Sequence, residues 1–193
     1  MIPRLSRLVL LCSLAPLTAA FASEDDAPGG PRPEAAPSPT AVLESLLLRD
    51  DLDERLVRLL LAEVHMADGM PDRAAETLEE LGPHDDAEVQ LLLGRAYRAS
   101  ADQQLAQGAT WEHVGYFQEL ASTALQRAAD LAPADDTRAT CEMLDQALYD
   151  YGDAESALAL ADTILADNPE CAEVRLLRGS AHVSSYWSAY DQG

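Results

Sequence analysis

Lysine is absent from this chain: all 13 basic side chains are arginine. That removes a lysine Schiff base and the lysine of a phosphate-binding loop from consideration. Positive charge of any kind is scarce, 13 basic against 34 acidic side chains, for a formal charge of −21. So negative a field repels phosphate backbones and anionic lipid, which argues against nucleic acid and membrane surfaces as partners. Strand-like alternation is missing as well, because from Thr40 onward the apolar residues recur with helical spacing. No Gly-rich phosphate loop, zinc-protease pattern or nucleophile elbow occurs, and Glu112-His113 lacks the second His that a zinc site of that type needs. The acidic stretches "DDLDE" (50–54) and "DYGDAE" (150–155) lack the oxygen spacing of a calcium loop and read as helix-start charge and solvated faces. The expectation is a protein that is not an enzyme and carries no cofactor or metal.

One long apolar run is present, at the start. "MIPRLSRLVLLCSLAPLTAAFAS" places Arg4 and Arg7 before the run Leu8–Ala20 and small residues at Ala20 and Ala22. This is the pattern of a secretory signal peptide, residues 1–22, cleaved after Ala22. Cys12 follows Leu11 rather than a small residue, which speaks against a lipid anchor. Residues 23–39, rich in Pro, Ala and acidic side chains, bury too little apolar surface to order and read as a linker. The chain is therefore expected to be exported, periplasmic or secreted, with no membrane insertion after cleavage.

Residues 40–193 carry helix punctuation. Gly69-Met70-Pro71, Gly82-Pro83, Gly108, Pro133, Gly152-Asp153 and Asn168-Pro169 separate periodic segments. Gly suits a helix C-terminus, Pro a helix start, and the carboxylate of Asp153 an N-cap. The segments resemble one another. "LLLAEVH" offers Leu61, Ala62 and His65; "QLLLGRAY" offers Leu93, Gly94 and Tyr97; "LRGSAH" offers Gly179 and His182. Alternate segments pair Ala74 with Leu78, Ala121 with Leu125, and Ala157 with Ala161. In these motifs the chain resembles the tetratricopeptide-repeat family over about Asp53 to Val183. The pattern departs at Asp145, where a small residue is expected, and at Arg178, where Leu is. The resemblance implies an all-α fold, a right-handed superhelical stack of antiparallel helix pairs (an α-solenoid). Its repeats fall near 53–86, 87–135 and 136–170, with a partial one at 171–190, and "TAVLESLLL" reads as a short helix covering the open end.

The spacing across the turns singles out the middle repeat. His65 stands nine residues before Ala74 and Leu148 nine before Ala157, whereas Tyr97 stands 24 before Ala121. The excess of 15 lengthens each helix by roughly two turns and makes an elongated hairpin. Inside it lies "GATWEHVGYF" (108–117), which gathers Trp111, Tyr116 and Phe117 in a chain only 5% aromatic. Leu105, Trp111 and Val114 are expected to fill the contact between the long helices, with Tyr116 and Phe117 lower, near the main core. The alternative is a docking tip at Trp111 and His113, since exposed Trp often anchors an interface.

By the same resemblance, the first helices line a concave groove that holds a peptide or partner helix. Arg95 and Arg98, three apart, share one helix face. Around them the resemblance sets Leu59, Leu91, Met66, Glu63, Glu142 and Tyr149. Two readings stay open. The arginines grip a carboxylate-bearing partner, or they pair with Glu63 and Glu142 and tie adjacent repeats together. The variant of the family that clamps a C-terminal carboxylate uses Lys and Asn; here no Lys exists, and Glu63 and Gln146 stand at the Asn sites. His65 and His182 occupy packing sites of their repeats, and His84 a turn. After signal cleavage Cys141 and Cys171 remain; an exported pair permits a disulfide, and two separate thiols with Cys141 buried is the other reading. The function that follows is an exported scaffold or adaptor for another protein or peptide in cell-envelope or secretion-related assembly. Its rival is a self-associating structural protein, a homo-oligomer docking through the stripe Val183, Tyr186, Trp187 and Tyr190. A metal-binding protein or enzyme using Glu112 and His113 is the more distant rival.

Overall fold

The computed structural model describes residues 37–49, 51–82, 85–133 and 135–191, with side chains as far as Tyr186. The signal-like segment with Cys12, nearly all of the linker, His84 and the side chains of Trp187 and Tyr190 lie outside the described residues. Those described form eight α-helices and no strand: α1 (Pro39–Leu47), α2 (Glu54–Ala67), α3 (Pro71–Glu79), α4 (Ala87–Ala106), α5 (Trp111–Leu131), α6 (Arg138–Tyr149), α7 (Ala154–Asp167) and α8 (Ala172–Asp191). None of them is long and apolar enough to cross a membrane.

The helices begin and end where local chemistry dictates. Asp53, Asp86 and Asp153 sit at N-caps, and their carboxylates accept from the Leu56, Glu88 and Ser156 amides at 3.4, 2.9 and 3.0 Å. The Ser156 hydrogen bond also holds the Asp153 carboxyl below its ordinary range. Gly108, at φ +81°, ends α4 in the left-handed region and turns the chain into α5. Thr110 is the N-cap of α5 but makes no side-chain capping bond.

Each helix packs on its chain neighbours, and α2 with α4, α4 with α6, and α6 with α8 also touch. Close approach depends on small side chains. Ala62, Ala74, Ala121, Ala157 and Ala161 are fully enclosed. At Gly94 the space is already taken: a Cβ there would lie 2.6 Å from Leu125 Cγ and 3.3 Å from the Ala121 carbonyl oxygen. Leu91 packs in one cluster with Leu125, Ala128 and Ala139. As the chain advances along α4 from Leu91 to Gly94, its partners on α5 retreat from Ala128 to Leu125. The two long helices, of 20 and 21 residues, therefore run antiparallel.

Three sequence expectations are corrected. Val114 is buried, but Leu105 and Trp111 are exposed, Trp111 at 72%. Trp111 is the first residue of α5, where no preceding helical turn covers the side chain. Tyr116 is exposed too, and the neighbouring Phe117 meets it and His113 edge-on, with ring centroids 5.6 and 5.4 Å apart. His182 is solvent-exposed, because among the described residues no helix lies over that side of α8, whereas His65 is buried in α2.

Candidate functional site

The face shared by α4, α6 and α8 holds a cavity of about 360 Å3. Cys141 and Leu177 contribute apolar surface, Leu176 stands at its mouth, and five charged side chains line it: Arg95, Arg138, Glu142, Asp145 and Glu173. The arginines do not stand free. Arg95 Nε donates to Glu142 Oε1 at 2.7 Å. Arg138 donates to Asp136 at 2.8 Å and reaches Glu88 at 3.4 Å. Nine of the ten described arginines lie in ion pairs with the chain's own carboxylates.

Arg98 is the hub. Its Nε and Nη2 fork onto Asp150 at 2.7 and 3.0 Å, and its Nη1 lies 2.6 Å from Asp145 and 3.7 Å from Glu142. The side chain is only 17% exposed. Burial by itself would weaken the charge, but hydrogen bonds to Asp150 and Asp145 outweigh it and hold the guanidinium above the ordinary arginine range. Burial and the Asp150 charge raise the neighbouring Asp102 carboxyl. Three carboxylates of the chain itself already engage this one guanidinium. Asp145, the residue that departs from the small-residue pattern, is one of these three, so the departure has a structural use.

The remaining predicted groove residues divide. Leu91 and Leu59 are buried in the core rather than lining a groove, because α5 and α6 cover the one and α3 and α4 the other. Met66 is half-buried against the α2–α4 cluster. Glu63 and Tyr149 are exposed. Gln146, set at a clamp position only by the sequence resemblance, is buried and used internally. Its Oε1 accepts from Ser122 Oγ at 3.0 Å, and its Nε2 donates to the Gln118 carbonyl at 3.3 Å. With Tyr151 Oη, 2.9 Å from Ser122 Oγ, it fastens α6 to α5 beside a second cavity of about 470 Å3 lined by no charged side chain.

Cys141 and Cys171 are free thiols gathered in one apolar cluster with Leu144, Ile164 and Val174. Burial pushes the Cys141 thiol up to about 11, against the pull of a hydrogen bond with Thr137. Among the described residues no group of His, Cys, Asp and Glu is arranged to hold a metal ion. Asp145 and Asp150 were missed by sequence reasoning. The signal that finds them is charge bookkeeping, since a buried arginine requires carboxylates, and the last turns of α6 and the residue after it supply Asp145 and Asp150. Comparison with family models, with curated proteins and with solved structures returns no match.

Proposed function

We propose that this chain is an exported scaffold of tetratricopeptide-repeat type, a right-handed superhelical stack of antiparallel helix pairs, that binds a segment of another protein along its first-helix face. The observation that carries this reading is the cavity among α4, α6 and α8, with its apolar floor and charged walls. The charge balance sets the sign of the partner. Arg95, Arg98 and Arg138 are already engaged by Glu142, Asp145, Asp150, Asp136 and Glu88, and Glu173 adds one more negative charge. A carboxylate-bearing segment would have to displace these pairs. A basic segment with an apolar side chain for the Leu176–Leu177 wall fits without displacing any. The signal-like first 22 residues and the acidic linker support an exported setting in envelope or secretion-related assembly.

The test is a pull-down from the envelope extract of the source cells, with crosslinking to map the segment held. The expected result is a basic segment at the α6–α8 cavity, lost with Glu173→Arg at an unchanged melting temperature and weakened by added salt. Capture of the same polypeptide by the Glu173→Arg chain would refute the cavity reading.

A further inference from the structure

Two of the chain's three cysteines are brought together by elements well separated in sequence. Cys141 lies in the first turn of α6, its amide donating to the Thr137 carbonyl at 2.8 Å. Cys171 stands immediately before α8, and its carbonyl accepts from the Arg175 amide at 3.1 Å as the helix opens. Between them run the rest of α6, all of α7 and the turn after it. Both backbones are therefore held by helical hydrogen bonds. Both side chains enter one apolar cluster with Leu144, Ile164 and Val174, and within it the Cys171 thiol lies in hydrogen-bonding reach of the Cys141 thiol. A disulfide needs its sulfurs at about 2 Å, and two thiols that already face each other are the arrangement from which side-chain rotation supplies that approach.

Access to the two sulfurs is graded. Cys141 is buried, while Cys171 sits at the edge of the cluster and is half-buried. Burial also keeps the Cys141 thiol protonated well into the alkaline range. A reagent in solution therefore meets Cys171 first, and Cys141 stands behind it as the one thiol within reach among the described residues. An accessible thiol backed by a protected one is the arrangement that thiol–disulfide exchange uses, the first sulfur to attack and the second to close the bridge.

We propose that Cys141 and Cys171 form a reversible disulfide by exchange with an external disulfide, Cys171 attacking first and Cys141 closing the bridge. The Cys171 thiolate bonds to one sulfur of the reagent, the reagent's own S–S bond breaks, and its other half leaves as a thiolate. Cys141 then gives up its proton to water and attacks Cys171 Sγ, and the second half of the reagent leaves as a thiolate in turn. The chain's two thiols lose two electrons and two protons, and the reagent's disulfide gains both as two thiols. The bond ties α6 to the start of α8, the helices that carry Glu142 and Asp145 on one wall of the cavity and Glu173 and Leu177 on the other. The pairing does not depend on what the cavity holds, since its test reads a covalent bond and not capture.

The experiment treats the reduced full chain, folded and at mildly alkaline pH, with an excess of oxidised glutathione, and follows it by mass spectrometry and thermal melting. After cleavage at glutamate, the peptides bearing Cys141 and Cys171 are expected to stay joined until a reductant is added. The bridged chain should melt about 5–10 °C above the reduced one, because the bond closes a loop of some thirty residues. Cys141→Ala should stop at a glutathione adduct on Cys171. Cys171→Ala should take up glutathione at Cys141 at least about tenfold more slowly. A wild type that keeps both thiols, or ends with glutathione on each, overturns the proposal, as does a bridge made through Cys12 instead. A bridged chain that melts below the reduced one overturns it too, because the fold would then have to distort to close the bond. Equal rates of uptake by the two variants refute the order of attack.

Discussion

The helices α4 and α8 carry the same local motif and meet opposite fates. Leu91 and Gly94 of α4 are enclosed by α5 and α6; Leu176 and Gly179 of α8, eighty-five residues on in each case, face outward. A short pattern therefore specifies how a helix face can be covered, not whether it is. Covering depends on a neighbouring helix, which α5 supplies to this face of α4 and no described helix supplies to the outer face of α8. The same contrast separates the two sets of charges. Arg98 on α4 is enclosed by carboxylates arriving from α6 and the turn that follows it, 44 to 52 residues away, while Arg175 on α8 pairs only with its local neighbour Glu170.

The widest separation between the two helices is expected at their leucines. Leu125→Ala removes the side chain that fills the Gly94 notch and should cost about 2–5 kcal/mol. Leu176→Ala, measured where the chain is monomeric, should change stability by less than about 0.5 kcal/mol. Chemical denaturation of the two variants makes the comparison, and equal losses would mean that α8 is covered after all. Next in size is the Arg98 hub. Arg98→Ala leaves Asp145 and Asp150 facing each other without a cation, at a cost on the order of 2 kcal/mol once partial solvent access is allowed for. Arg95→Ala, at a more exposed single pair, should cost at most about 1 kcal/mol.

Smaller effects sharpen the account. Trp111→Ala should leave stability within about 0.5 kcal/mol, because the indole is largely exposed to solvent. A larger loss would restore the packing role that its sequence neighbourhood suggested. The thiols give the finest test. The Cys141 thiol has its value raised in the folded chain, so its contribution to stability is intact below about pH 9.0 and is lost as pH rises toward about 11. Denaturation midpoints should therefore fall further between those limits in the native chain than in Cys141→Ala. At mildly alkaline pH, alkylation of the folded protein should reach the half-buried Cys171 before the buried Cys141.

How much of this was legible in the sequence follows the range of the interactions. Helix ends set by one residue were read correctly: Gly69, Gly82, Gly108 and Gly152 all adopt positive φ, and Asp153 caps α7 as its position suggests. The fifteen-residue excess between Tyr97 and Ala121 appears as helices of 20 and 21 residues. Side-chain direction at a helix end was not legible, because periodicity says nothing of whether a neighbour exists past the first turn; Trp111 is the example. His182 was misjudged for a related reason: its motif assumes a mate for α8. For Arg98 the partner Glu142 was foreseen, but Asp145 and Asp150 depend on how α6 and its C-terminal turn lie against α4. That is a tertiary fact with no local signature.

The most direct measurement pairs two single substitutions, Gly94→Ala and Gly179→Ala, in thermal or chemical denaturation of the monomer. At Gly94 the added Cβ meets the enclosed Leu125 at 2.6 Å, so the expected result is a loss of about 1–3 kcal/mol. At Gly179 the space is open and alanine favours the helix, so the expected result is a gain of about 0.5–1 kcal/mol. Opposite signs support a closed α4 face and an open α8 face. A loss at Gly179 matching that at Gly94 would contradict the account, because it would mean that this chain already covers the outer face of α8.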